Sequence, residues 1–182
     1  MKIGHYEFSV PIVLAPMAGV SDKPFRVLCR YLGADYCVSE MVTSTVALWK
    51  TKKTKVRLPT ADEKSPRITQ IVGGDPALMA ECAPLAYDLG AEIVDINMGC
   101  PAKKVCRKVA GSALLADPKL VSRILSSVVK AVDCPVTLKM RTGTSAKLKN
   151  GLAIAEIAEG EGIAALTVHG RSKQCRYDTP AE

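Results

Sequence analysis

Ile12-Val13-Leu14-Ala15-Pro16-Met17-Ala18-Gly19-Val20 runs a short apolar segment straight into a turn of small residues and proline. A strand that enters a tight turn and then a helix is how a parallel α/β fold begins, and the make-up of the turn separates two architectures. An open, doubly wound sheet marks this turn with G-x-G-x-x-G, whose glycines let a phosphate approach the backbone. Ala15-Pro16-Met17-Ala18-Gly19-Val20 lacks that fingerprint. The turn therefore favours a TIM-type (β/α)8 barrel over an open sheet.

Working outward from this stretch, whose strand is expected over Ile12 to Pro16, further β-type runs occupy Tyr36 to Glu40, Arg67 to Val72, Ile93 to Asn97, Pro135 to Met140 and Ala165 to His169. Helical periodicity fills most of the gaps. Phe25, Leu28, Cys29 and Leu32 share one helical face, and Leu120, Val121, Ile124, Leu125, Val128, Val129 and Val132 share another. Asp75-Pro76 and Asp117-Pro118 each supply an N-cap followed by proline in the first turn, while Gly33 and Gly90 stand where C-terminal caps are expected. Between Met41 and Pro66 the pattern is least regular; a short helix near Thr45 to Trp49 and then a basic loop are expected. Alternation with short connections implies right-handed crossovers and a parallel sheet. The strands read as apolar on nearly every residue, as when both sheet faces are covered.

The chain has 182 residues, 48% hydrophobic but only 4% aromatic, so aliphatic side chains must fill one sizeable core. Seven cysteines without a C-x-x-C pair point to reduced, mostly buried thiols and to no metal site. The start, Met1-Lys2-Ile3-Gly4-His5-Tyr6-Glu7, does not read as a signal peptide, and the apolar stretch Val10 to Val20 is too short to cross a bilayer. A cytoplasmic protein with no membrane partner is expected. Lys plus Arg exceed Asp plus Glu by 25 to 18, a net charge of +7 that suits a polyanionic partner.

In barrels of this kind the reactive groups stand at the C-terminal ends of the strands. Those ends read Met17, Glu40, Gln70, Asn97 with Cys100, Lys139 with Arg141, and His169 with Arg171. Taken singly, each has an ordinary structural explanation: a buried amide can satisfy backbone groups, and a strand-end lysine can be merely solvated. Convergence on one face is the stronger observation. Lys103, Lys104, Arg107, Lys108, Arg141, Lys147, Arg171, Lys173 and Arg176 also follow strand C-termini, whereas the opposite loops carry Asp35, Glu92, Asp133, Glu159 and Glu161. A basic rim over an acidic base would steer a polyanion to the catalytic end. The run Lys50, Lys52, Lys53, Lys55 and Arg57 has no assigned role.

Four of these segments, Ala15-Pro16-Met17-Ala18-Gly19-Val20-Ser21-Asp22, Asn97-Met98-Gly99-Cys100-Pro101, Leu138-Lys139-Met140-Arg141-Thr142-Gly143 and Val168-His169-Gly170-Arg171, resemble the tRNA-dihydrouridine synthases, most closely the bacterial B-type branch. Gly111-Ser112-Ala113-Leu114-Leu115 strengthens the likeness, which runs along essentially the whole chain; Val109 departs from it, since relatives often carry glycine near there. The resemblance implies an FMN enzyme that reduces uridine in tRNA with electrons from NADPH, monomeric at full length. It implies that Pro16, Met17 and Ala18 line the isoalloxazine, that Gln70 and Lys139 bind its pyrimidine edge, and that His169 sits against it. A cation such as Lys139 would favour the reduced, negatively charged flavin. If Lys139 were instead a structural ion pair, Glu40 is its ready carboxylate among the strand ends.

Cys100 is the expected catalytic acid. Hydride delivery to carbon 6 of uracil leaves carbon 5 in need of a proton, and a cysteine thiol with an ordinary pKa of about 8.5 is mostly protonated at neutral pH. Asn97 and Arg141 are expected to contact uracil and phosphate. Competing readings are a flavin barrel acting on a free pyrimidine, of the dihydroorotate dehydrogenase kind, and an RNA-binding barrel without catalysis. A small anionic substrate would not require so broad a basic rim, and Cys100 with Lys139 argues for catalysis.

Strand starts at 12, 36, 67, 93, 135 and 165 lie roughly 31 residues apart, so two more units would reach the roughly 250 residues usual for this barrel. Thr179-Pro180-Ala181-Glu182 reads as a capping box opening another helix. Residues 1–182 are thus expected to be the N-terminal part of one FMN-binding barrel domain, truncated after the sixth strand and lacking a C-terminal helical tRNA-binding domain. Expressed alone, such a chain would expose its first and sixth strands, bind FMN weakly, lack reductase activity and aggregate.

Overall fold

The computed structural model describes residues 1–175 and 180–182. The strands are β1 (Lys2–Ile3), β2 (Tyr6–Glu7), β3 (Val13–Leu14), β4 (Tyr36–Val38), β5 (Val42–Thr43), β6 (Arg67–Val72), β7 (Ile93–Met98), β8 (Val136–Arg141) and β9 (Ala165–His169). The helices are α1 (Lys23–Tyr31), α2 (Lys52–Lys55), α3 (Pro76–Asp88), α4 (Lys103–Cys106), α5 (Pro118–Ala131) and α6 (Gly151–Gly160), with 3-10 turns at Val46–Lys50 and Gly111–Ala116.

Apart from the β1–β2 hairpin, the strands form one parallel sheet in the order β3-β4-β6-β7-β8-β9, with β5 also paired to β6. β4 and β5 are two pieces of one strand position, interrupted at Ser39–Met41. Each strand position therefore neighbours its predecessor in sequence. That is the order of a barrel; a doubly wound sheet reverses direction at a switch point. Val13 and Ala15 at one edge and Leu166, Thr167 and Val168 at the other line a single cavity of about 330 Å³, so the sheet curls until its edges face the same space. The architecture is a partial TIM-type barrel.

Two apolar clusters hold it. On the outside of the sheet, Ile71, Val94, Ile96, Met98, Leu138 and Met140 pack against Met79 and Cys82 of α3 and Val121, Ile124, Leu125 and Val128 of α5. Asp75 and Asp117 cap these helices, accepting from the Leu78 N–H at 2.9 Å and the Leu120 N–H at 3.0 Å. At the N-terminal end of the barrel, Ile3 of the hairpin joins Tyr36, Val38, Ile68 and Ile93 as a plug.

Several expectations are corrected. The first strand narrows to Val13–Leu14; before it, the Ile12 N–H donates to the Asp35 carboxylate at 2.7 Å and the Ile12 carbonyl accepts the Asp35 N–H at 2.8 Å, and after it the chain enters the Pro16 turn. α1 does not bury the face holding Leu28 and Leu32, which are 49% and 73% exposed. Its buried residue is Arg26, whose guanidinium pairs with Glu63 at 2.7 Å and donates to the Ser21 carbonyl at 2.8 Å. The short helix near Thr45 is a 3-10 turn, and the basic loop after it contains α2. Of the cysteines only Cys37 and Cys82 are buried; the other five are half-buried, and none forms a disulfide. Among the described residues no helix is long and apolar enough to cross a membrane. Arg176 of the basic rim and Thr179 of the capping box lie outside the described residues.

Candidate active site

Strand residues two apart point to the same side, so the register stacks the interior side chains in tiers. Gln70, Asp95, Thr137 and Ala165 are aligned across β6 to β9. One tier higher stand Asn97, Lys139 and Thr167, and above them Arg141 beside His169. Gln70 and Lys139 thus lie inside their strands, not at the strand ends where the sequence pattern set them. The runs of β6 to β8 also alternate here, apolar outward and polar inward, instead of being apolar throughout.

Asp95, which the sequence reading passed over, is the hub of this layer. It is 4% exposed and receives the Thr137 hydroxyl on Oδ1 and the Gln70 Nε2 on Oδ2, each at 2.6 Å. Burial pushes its carboxyl up to about 6, against the hydrogen bonds from Thr137 and Gln70 and the charge of Lys139, which all favour the ionised form. The available signal was a lone carboxylate within an apolar run, two residues before Asn97 and hence on the same face. Asn97 Nδ2 donates to Gln70 Oε1 at 2.8 Å, and its Oδ1 accepts from the N–H groups of Cys100 at 3.0 Å and Gly99 at 3.3 Å.

Lys139 is half-buried on the cavity wall, and no hydrogen bond or ion pair of its ammonium falls among the described residues. Burial holds its pKa below the usual lysine value, with Arg141 acting in the same direction and Asp95 opposing. Glu40 is not its partner. That carboxylate pairs with Arg57 at 3.3 Å and accepts the Gly19 N–H at 2.8 Å, so it fixes the turn after β3. Ser21 braces the same turn by accepting the Met17 N–H at 2.8 Å. Pro16 lines the cavity, and Met17 and Ala18, the next two residues in the chain, are exposed.

Cys100 is half-buried just beyond β7 and is not itself a wall of the cavity. Its carbonyl accepts from both the N–H and the hydroxyl of Ser112, each at 3.0 Å. Gly111 makes this possible: its φ is +62°, and a Cβ there would stand 2.6 Å from the Cys100 oxygen. Val109 has a φ of +50°, the left-handed region that a β-branched side chain avoids. The departure from glycine thus falls where glycine would relieve strain. Arg141 is 2% exposed and spends Nε on the Gly99 carbonyl at 2.8 Å and Nη1 on the Ser172 carbonyl at 2.9 Å. His169 is held below the usual histidine value by partial burial and by the charges of Arg141, Lys139 and Arg171. Lys103, Lys104, Arg107 and Lys108 are exposed on and after α4, next to Cys100.

The sequence profile of the family described as dihydrouridine synthase (Dus) matches residues 13–182. The chain belongs to the dihydrouridine synthase family. Among curated relatives, it is 57% identical over 182 residues to tRNA-dihydrouridine synthase B of Pseudomonas aeruginosa, covering all of this chain and 55% of that protein. The corresponding proteins of Yersinia pestis and Vibrio vulnificus, both named tRNA-dihydrouridine synthase B, are 52% and 53% identical over the whole chain, which covers 57% and 56% of them. The chain therefore spans about half the length of the dihydrouridine synthases it matches.

Proposed function

We propose that this chain belongs to a cytoplasmic enzyme that reduces uridine in tRNA to 5,6-dihydrouridine, with FMN as bound flavin and NADPH as electron donor. The observation that carries the proposal is Lys139. A half-buried ammonium without a hydrogen-bond partner among the described residues, on a cavity walled by Pro16 and Val168, suits a flat ring with an anionic edge. The residues therefore fit a flavin. Pro16, Met17 and Ala18 would hold it through their backbone, Gln70 and Lys139 at the pyrimidine edge, and His169 as an imidazole favoured neutral. When bound, FMN supplies hydride for carbon 6 of uracil.

The other half of the reaction falls to Cys100, whose Sγ–H gives its proton to carbon 5. Asn97 places the thiol by holding the Cys100 and Gly99 N–H groups and directs its remaining polar valence to uracil. Arg141 supports the substrate contact through the Gly99 and Ser172 backbone that it ties together. The exposed cations of α4 meet tRNA phosphates.

The test is a chain of the relatives' length, supplied with FMN, NADPH and unmodified tRNA and assayed for dihydrouridine. Cys100→Ala should keep its flavin and lose activity by about 10²–10⁴-fold, the range of a general acid. Undiminished reduction by that variant would remove Cys100 from the mechanism, and equal turnover of free uridine would replace tRNA as the substrate.

A further inference from the structure

We infer that Asp95 is a positioning residue, one that sets the direction of a hydrogen-bond chain running from the cavity floor to the Cys100 loop. The chain is Asp95 Oδ2 from Gln70 Nε2 at 2.6 Å, Gln70 Oε1 from Asn97 Nδ2 at 2.8 Å, and Asn97 Oδ1 from the Cys100 N–H at 3.0 Å. Gln70 and Asn97 are amides, and an amide can present either its oxygen or its nitrogen to a neighbour. An ionised carboxylate can only accept, so at Asp95 the Gln70 nitrogen must face inward. The Gln70 oxygen then faces Asn97, and the Asn97 oxygen faces the loop.

Thr137 closes the alternative at the other carboxylate oxygen, donating its hydroxyl to Oδ1 at 2.6 Å. All three side chains of the chain are buried, at 1% exposure for Gln70, 4% for Asp95 and 8% for Asn97, so water offers little substitute. Turning the chain around would set the Asn97 amide nitrogen against the Gly99 and Cys100 N–H groups, donor against donor. The loop would then lose its hold from Asn97 and keep the Ser112 contacts to the Cys100 carbonyl and the Arg141 contact to the Gly99 carbonyl. A carboxylate three hydrogen bonds from the Cys100 backbone thereby helps to decide where the thiol stands.

The inference rests on reading Cys100 as the acid. Its test reads hydrogen bonds and not turnover, so its failure is distinguishable from failure of the uridine assay. In a chain of the relatives' length, with and without flavin, hydrogen exchange of the Gly99 and Cys100 amides is measured for the parent, Asp95→Asn, Thr137→Val and the double variant Asp95→Asn with Gln70→Glu. Asn at 95 can donate as well as accept, so protection of these amides should fall roughly five- to tenfold, the difference between a charged and a neutral acceptor. The double variant restores an acceptor-only group at 70, facing Asn97, and should recover protection. Thr137→Val removes a bond outside the chain and should leave protection in place even where it lowers the melting temperature.

The parent supplies a check that needs no variant. Among the described residues, the charged and titratable groups that act on Asp95 or feel its charge are Lys139 on β8 and Tyr36 on β4. Protonating Asp95 makes it able to donate, so protection corrected for intrinsic exchange should drop as pH falls through about 6. Protection that stays flat from about pH 8 to 5, an Asp95→Asn variant as protected as the parent, or a double variant as open as the single would each overturn the inference.

Discussion

The two faces of β6, β7 and β8 are built from alternate residues of the same strands, yet they obey different rules. The helix-facing side, with Ile71, Val94, Ile96, Met98 and Leu138 at 0% exposure, is held by contact alone. The barrel side one residue away holds Gln70, Asp95, Asn97, Thr137 and Arg141, each no more than 8% exposed and each hydrogen-bonded to another member or to a loop. Apolar packing tolerates any side chain of the right volume. A buried polar layer tolerates only those that leave every donor and acceptor matched. One pleat thus separates side chains held by packing from side chains held by matched hydrogen bonds.

Leu138 and Thr137 give the widest contrast. Leu138→Ala opens a cavity against the helices and should cost about 3 kcal/mol of unfolding free energy. Thr137→Val keeps the volume, removes one donor to the Asp95 carboxylate and should cost about 1.5–2 kcal/mol. Urea unfolding midpoints of the two variants check this, and equal losses would erase the distinction between the faces.

Asp95 sharpens the comparison through pH. Its folded pKa of about 6 lies above the ordinary aspartate value, so the native state binds the proton more tightly than the unfolded chain does. Its contribution is therefore most favourable below about pH 4, declines as pH rises to about 6 and is then level, a change of roughly 2–3 kcal/mol. Asn carries no such charge. Relative to the parent, Asp95→Asn should gain stability by about that amount between about pH 4 and 7. A stability difference independent of pH would mean that Asp95 is not buried in its charged form. No helix-facing substitution on these strands should show this dependence.

The smallest effect belongs to neither face. Val109, 54% exposed with a φ of +50°, occupies the loop that follows α4. Val109→Gly relieves the left-handed strain but adds freedom to the unfolded chain, and should stabilise by about 0.5–1 kcal/mol. A loss of stability would show that the side chain compensates by packing.

Local signals in the sequence determined what depends on local physics. The bounds of β6 and β9, the capped starts of α3 and α5 and the buried face of α5 all follow from residues within one or two turns of each other. So did the motif around Cys100, because glycine and proline flank it in the chain. The tertiary structure alone decided that α1 buries Arg26 and exposes Leu32, since the partner of Arg26 is Glu63, brought in by the loop before β6. It also decided that Asp95, and not Glu40, stands near Lys139, and that Arg141 is a tie between loops. The reason is distance along the chain: Asp95 meets Gln70 across 25 residues and Thr137 across 42, and strand periodicity says which residues share a face but not which strands lie side by side.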